Sequence, residues 1–168
     1  MYKKGEYVVK ATDGICRIED IINMDTNITK SKKLYYLMVP EHEKKARLYV
    51  PVEKENSTCR KIMTETEAWA LIDNIPQIDT VWIPDDKTRE KKYKEALQSC
   101  NPVKLVGIIK NMYIRKKERI SKGKKNTAVD ERYFKIAEET LYAELAFAIG
   151  RKKEDMTEII TERIKSIN

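Results

Sequence analysis

The sequence predicts an α+β chain: a small curled antiparallel β-module over residues 1–62, then an all-α bundle of about five helices over residues 63–168. Three observations carry this. Short apolar runs rich in aromatic and β-branched residues alternate with turn residues through the first third. After Met63 the apolar period lengthens to that of a helix. Strands and helices also fall in separate blocks, which argues against a doubly wound sheet.

In the β-block, Gly5–Val9 is a short strand, and Asp13-Gly14 marks a turn before a second strand from Ile15 to Ile21. Leu34 to Val39 is an aromatic, apolar run that stops at Pro40, and Arg47-Leu48-Tyr49-Val50 stops at Pro51. Proline lacks the amide that a central strand needs, so both fit strand ends. A last strand is expected at Thr58 to Ile62. Five strands in so short a stretch point to a small barrel. The polar segment Asn23–Lys33 is expected to be a loop.

In the α-block, Thr64 with Glu67 matches a capping box, followed by an apolar face of Ala68, Trp69, Leu71, Ile72 and Ile75. Gln77–Pro84 reads as a connecting loop that contains Trp82. Asp85 or Asp86 can cap the next helix, whose apolar positions are Tyr93, Ala96, Leu97 and Cys100. Asn101-Pro102 fits an N-cap followed by an N1 proline. That helix buries Leu105, Ile108, Ile109 and Met112 and runs into a basic turn at Ser121–Asn126. The fourth helix carries Phe134, Ala137, Leu141, Leu145 and Ala148 and stops at Gly150. The last presents Met156, Ile159, Ile160, Ile164 and Ile167.

The composition excludes several classes. Charged residues are 36% and hydrophobic residues 41%, as in a soluble globular chain. No apolar run approaches the roughly 20 residues of a membrane span, and no signal-peptide core follows Met1, so a cytoplasmic location is expected. Cys16, Cys59 and Cys100 are an odd, widely spaced set, which predicts free thiols rather than disulfides or a zinc site. His42 is the only histidine and falls in an expected hairpin turn. There is no phosphate-cradling glycine loop, GxSxG or HExxH, so neither an enzyme nor a metal or cofactor site is expected.

Charge is the most informative feature. The whole chain carries +7, yet residues 85–125 hold 14 Lys and Arg against 5 Asp and Glu. A cationic surface this local fits a polyanion, above all nucleic acid. Arg89, Lys91, Lys92 and Lys94 share a helix with the buried Tyr93 face and are expected to splay over its exposed side, while Lys124 and Lys125 lie in the basic turn. Such cations suit contact with the phosphate backbone, which positions a duplex without reading its sequence. Trp82 ordinarily packs on a core; an exposed indole beside a basic helix could instead wedge against a base step or stack on a melted base. The competing reading is a non-enzymatic adaptor whose basic helices bind RNA or an acidic protein surface.

The order and spacing of Lys4-Gly5-Glu6-Tyr7-Val8-Val9, Asp13-Gly14-Ile15, Tyr36-Leu37-Met38 and Leu48-Tyr49-Val50-Pro51-Val52 resemble the CarD/CdnL family of bacterial transcription regulators. Arg89-Glu90-Lys91-Lys92-Tyr93-Lys94 and Leu141-Tyr142-Ala143-Glu144-Leu145-Ala146 extend the likeness over essentially the full chain. The resemblance implies a Tudor-like (SH3-like) N-terminal barrel that binds the RNA polymerase β subunit, here through Met24, Ile28, Arg47, Tyr49 and Pro51. It implies a helical domain that contacts promoter DNA at the upstream edge of the transcription bubble, largely without sequence preference, through Trp82, Arg89, Lys91, Lys92, Lys94, Lys124 and Lys125. A monomer without cofactor, held at the nucleoid by polymerase and modulating open-complex stability, is expected on the same grounds. One departure stands out. The family's wedge tryptophan lies four residues before the Tyr-Lys pair, where this chain has Arg89, and Trp82 lies further upstream.

Overall fold

The computed structural model describes residues 1–25, 32–54 and 59–167. The chain divides into two compact units, Met1–Ile62 and Met63–Asn168.

The front unit is a five-stranded antiparallel sheet built from β1 (Tyr7–Lys10), β2 (Gly14–Asp25), β3 (Lys32–Pro40), β4 (Leu48–Pro51) and β5 (Cys59–Lys61). The strand order is β4-β3-β2-β1-β5, a meander with β5 laid on the free edge of β1. Gly14 enters β2 at φ +67°, a conformation that costs glycine little and other residues more. Alternate residues of all five strands, Val8, Cys16, Ile18, Tyr36, Met38, Val50 and Cys59, share one buried cluster. The two edge strands do not pair. Tyr2 instead links β3 to β5: its amide donates to the Tyr36 hydroxyl (2.9 Å), and its own hydroxyl donates to the Cys59 carbonyl (3.4 Å).

Both ends of the segment Asn23–Lys33, expected to be a loop, are strand. Asn23, Met24 and Asp25 pair with Leu34, Lys33 and Lys32, so both strands run several residues further than their apolar content implies. Ladder hydrogen bonds use the backbone, and polar side chains on the outer face of a sheet do not oppose them.

The rear unit has five α-helices: α1 (Glu65–Asn74), α2 (Asp86–Gln98), α3 (Pro102–Ser121), α4 (Ala128–Ile149) and α5 (Met156–Ile167). The caps follow the chemistry of their residues. Thr64 and Glu67 form the capping box, Asp85 caps α2 through Thr88 N (2.8 Å), and Asn101 caps α3 ahead of Pro102. Gly150 ends α4 in the left-handed region. The core joins every helix: Ala68 and Ile72 from α1, Tyr93 and Ala96 from α2, Ile108 and Met112 from α3, Leu141 and Leu145 from α4, and Met156 from α5. Trp69 and Ile75 pack against it only partly buried, and Ile167 stays about half exposed.

Candidate functional site

In the front unit, an irregularity in β2 decides which side chains face outward. Ile18 lies opposite Met38 but Asp20 lies opposite Leu37, leaving Glu19 as an extra residue in a β-bulge. Before the bulge the even positions Cys16 and Ile18 point into the core; after it Ile21 does. Met24 would otherwise follow Ile18 inward, and the bulge turns it out, 37% exposed. The register then sets Met24 beside Lys33, Pro51 beside Tyr35 and Tyr49 beside Leu37, all on the outer face. Tyr49 is half exposed. Arg47 ends this face. Its Nε lies 3.3 Å from the bulged Glu19, and its guanidinium donates to the Lys44 and Ala46 carbonyls (both 2.9 Å). Four of the five residues that the resemblance assigns to polymerase contact therefore share one surface, and the fifth, Ile28, lies outside the described residues.

In the rear unit, the cations divide into two groups. Arg89 is turned inward, its side chain only 13% exposed. It donates to Asp86 (3.1 Å), to the Tyr93 hydroxyl (3.3 Å) and to Asn111 Oδ1 (3.4 Å). The expectation that Arg89 splays into solvent beside Lys91 is thus corrected. One helical turn before Tyr93, it falls on the same face as the buried tyrosine, and polar partners from α2 and α3 absorb its charge.

The hub of this network is Asp130, fully buried at the first turn of α4. Its Oδ1 accepts from the Tyr93 hydroxyl (2.8 Å) and its Oδ2 from Arg115 Nε (2.8 Å), while its amide donates to the N-cap Thr127. Burial pushes the Asp130 carboxyl up, but the hydrogen bonds from Tyr93, Arg115 and Thr127 outweigh it and hold the group below the ordinary aspartate range. Burial raises the Tyr93 hydroxyl to about 12, so it stays a proton donor. Arg115 also reaches Asp86 (3.1 Å). A cleft of about 250 Å³ beside this network is lined by Asp86, Lys87, Arg89, Glu90, Arg115 and Asp130 among others. Its three acids balance its three bases, so it is not an anion pocket.

Lys91, Lys92 and Lys94 do lie on the solvent side of α2, paired only loosely along the helix with Glu95 and Glu90. Such exposed pairs are weak and exchange readily for phosphate. Lys122, Lys124 and Lys125 are exposed in the turn after α3. That turn is held by Lys124 N donating to the Arg119 carbonyl (2.8 Å) and by Arg119 Nε donating to the Lys125 carbonyl (2.9 Å).

Trp82 is 76% exposed, three residues ahead of the cap of α2. Packing on the core, the ordinary fate of a tryptophan, does not occur. The backbone beside it is fixed even so: Val81 N donates to Gly107 O (3.3 Å), and Asn111 Nδ2 donates to Val81 O (3.2 Å). Asp130, Arg115 and Asn111, which organise this end of the bundle, were not legible as a set. The one sequence signal was a polar Asp130 within the first turn of an apolar helix.

Cys16 and Cys59 are buried in the front core, and burial raises the Cys16 thiol to about 12. Among the described residues no cluster of His, Cys, Asp or Glu could hold a metal ion, and no helix is long and apolar enough to cross a membrane.

Residues 2–63 match the family described as CarD-like/TRCF RID domain, and the match ends where the helical unit begins. No curated protein matches the chain.

Proposed function

We propose that the front unit, which matches the CarD-like/TRCF RID domain family over residues 2–63, binds RNA polymerase, and that the protein is a non-enzymatic transcription regulator whose rear unit contacts promoter DNA. The front unit binds the polymerase β subunit with the outer face formed by Met24, Arg47, Tyr49 and Pro51, where aromatic and apolar side chains meet one arginine. Aromatic residues and arginine are the side chains enriched where binding energy concentrates. The rear unit reaches the upstream edge of the transcription bubble. There Lys91, Lys92, Lys94, Lys124 and Lys125 hold phosphates, and Trp82 wedges against or stacks on an unpaired base.

The exposure of Trp82 carries this reading. An indole left in water beside a basic helix forgoes burial worth several kcal/mol unless a partner covers it. Arg89 does not share the role, because its guanidinium is committed to Asp86, Tyr93 and Asn111. Free-DNA affinity is expected to be weak and to fall steeply with salt, since each phosphate contact releases counterions. Tethering through polymerase then supplies the local concentration.

The test is open-complex lifetime on purified polymerase. Trp82→Ala should shorten the protein-dependent gain by about fivefold to a hundredfold, the range for losing one base–aromatic stack of about 1–3 kcal/mol. Polymerase binding should be unaffected. Tyr49→Glu should abolish polymerase binding and leave the helical unit intact. Full activity of Trp82→Ala together with a triple charge reversal of Lys91, Lys92 and Lys94 would remove DNA contact from the reading. Arg89 is left out of that set because reversing it breaks the internal network.

A further inference from the structure

We propose that Gly107, Lys110 and Asn111, on one face of α3, form a cradle that fixes the position of Trp82, which makes them positioning residues for the DNA contact. The proposal rests on the reading of Trp82 given above.

Three independent features converge on this short stretch of α3. The first is Gly107. The other four glycines all have positive φ, where glycine is the easiest residue to place; Gly107 alone sits inside a helix, where it is a poor helix former. Its reason is steric. A Cβ there would lie 2.8 Å from the Asp79 carbonyl oxygen and 3.1 Å from Val81 Cγ2, and the first of these contacts is with backbone that cannot swing aside. Only glycine lets the 79–81 segment lie this close to α3.

The second is Asn111, one turn further on. Gly107 O and Asn111 Nδ2 satisfy both backbone polar groups of Val81, the residue before Trp82. Asn111 Oδ1 meanwhile accepts from Arg89 on α2. One side chain thus ties the chain upstream of Trp82 to the helix downstream of it. The third is Lys110, whose ammonium donates to the carbonyls of Ile75 (3.0 Å), Pro76 (3.2 Å) and Ile78. It fixes the start of the same segment, and its charge is spent internally rather than on the solvent face.

The result is an exposed indole on a rigid mount. Ordering a free loop around a base step would cost affinity; here the backbone is ordered before any partner arrives. This also accounts for a wedge residue placed seven positions upstream of Arg89: α3 holds the longer connection in place.

The experiment uses the full chain with Trp69→Phe, which leaves Trp82 as the only indole. Time-resolved fluorescence anisotropy of Trp82 is measured for G107A, N111A and N111D, alongside helical circular dichroism and open-complex lifetime on polymerase. The isosteric N111D keeps an acceptor for Arg89 but loses the donor to Val81 O, so it carries the test should G107A fold poorly. The expected result is a native helical signal and melting temperature for N111D, with a clear loss of residual anisotropy. The open-complex lifetime gain should fall about two- to tenfold, the factor for immobilising one side chain on binding. Unchanged anisotropy in both G107A and N111D would overturn the cradle. W82A, run in parallel, judges the DNA reading separately: if it retains the full lifetime the DNA role of Trp82 is lost, while the anisotropy result still decides whether the cradle exists.

Discussion

Replacing Asp130 by alanine removes the acceptor shared by α2, α3 and α4. The carboxylate is fully buried and receives the Tyr93 hydroxyl and Arg115 Nε, both at 2.8 Å. Removing one member of a buried charge pair costs about 3–5 kcal/mol, because the remaining charge is left without its partner. Two features place this site at the lower end. Arg115 keeps its 3.1 Å contact with Asp86, and its side chain is 19% exposed, so water can reach it. The Tyr93 hydroxyl is worse placed: tyrosine is fully buried, and losing its acceptor costs about 1–3 kcal/mol on its own. Neighbouring losses overlap rather than add, so about 3–4 kcal/mol is expected. For a helical unit of this size that lowers Tm by roughly 15 °C. Urea unfolding followed at a helical wavelength measures it, because the front unit is β and contributes little there. A loss under about 1 kcal/mol would show that Asp130 is not the hub, and that core packing alone holds α2 against α4.

Further outcomes follow from the same geometry. Because the folded Asp130 carboxyl is held below its ordinary value of 3.8, its stabilising contribution is complete above that pH and is lost as pH falls through the folded value. The stability gap between the native protein and Asp130→Asn should therefore be constant near neutrality and narrow below about pH 4 in acid titrations. Thr64→Ala breaks the capping box of α1 and should cost about 1 kcal/mol by urea midpoint, with no effect on polymerase binding. Arg89→Ala should lower Tm while Lys91→Ala should not, and only Lys91→Ala should act mainly on the salt dependence of DNA binding. Equal melting temperatures for the two would show that the Arg89 network contributes nothing.

Much of this molecule was legible in one dimension. Strand runs ending at Pro40 and Pro51, the Thr64/Glu67 box, Asn101-Pro102 and Gly150 all act through neighbours within a few residues, and the structure places each of them as expected. The likeness of the front unit to the CarD-like/TRCF RID domain family was legible for a related reason. Its recurring short motifs are mostly strand ends and turns, whose backbone demands are local.

The two sites were not decided at that level. One extra residue at Glu19 inverts the facing of β2 and turns Met24 outward, and nothing in the apolar pattern marks where a bulge falls. Arg89 and Lys91 are both cations on one helix, and their sequence context is nearly the same. They separate when Tyr93, one turn along the same helix and held by Asp130 of α4, and Asn111 of α3 take Arg89 out of solvent. Trp82 stands exposed because Gly107 and Asn111 secure the backbone just before it. Sequence by itself determined the elements, their ends and the net charge, because propensity and capping act over a turn or less. Which charges face water, and which aromatic ring is left for a partner, depended on long-range contacts that only the packed chain brings within reach.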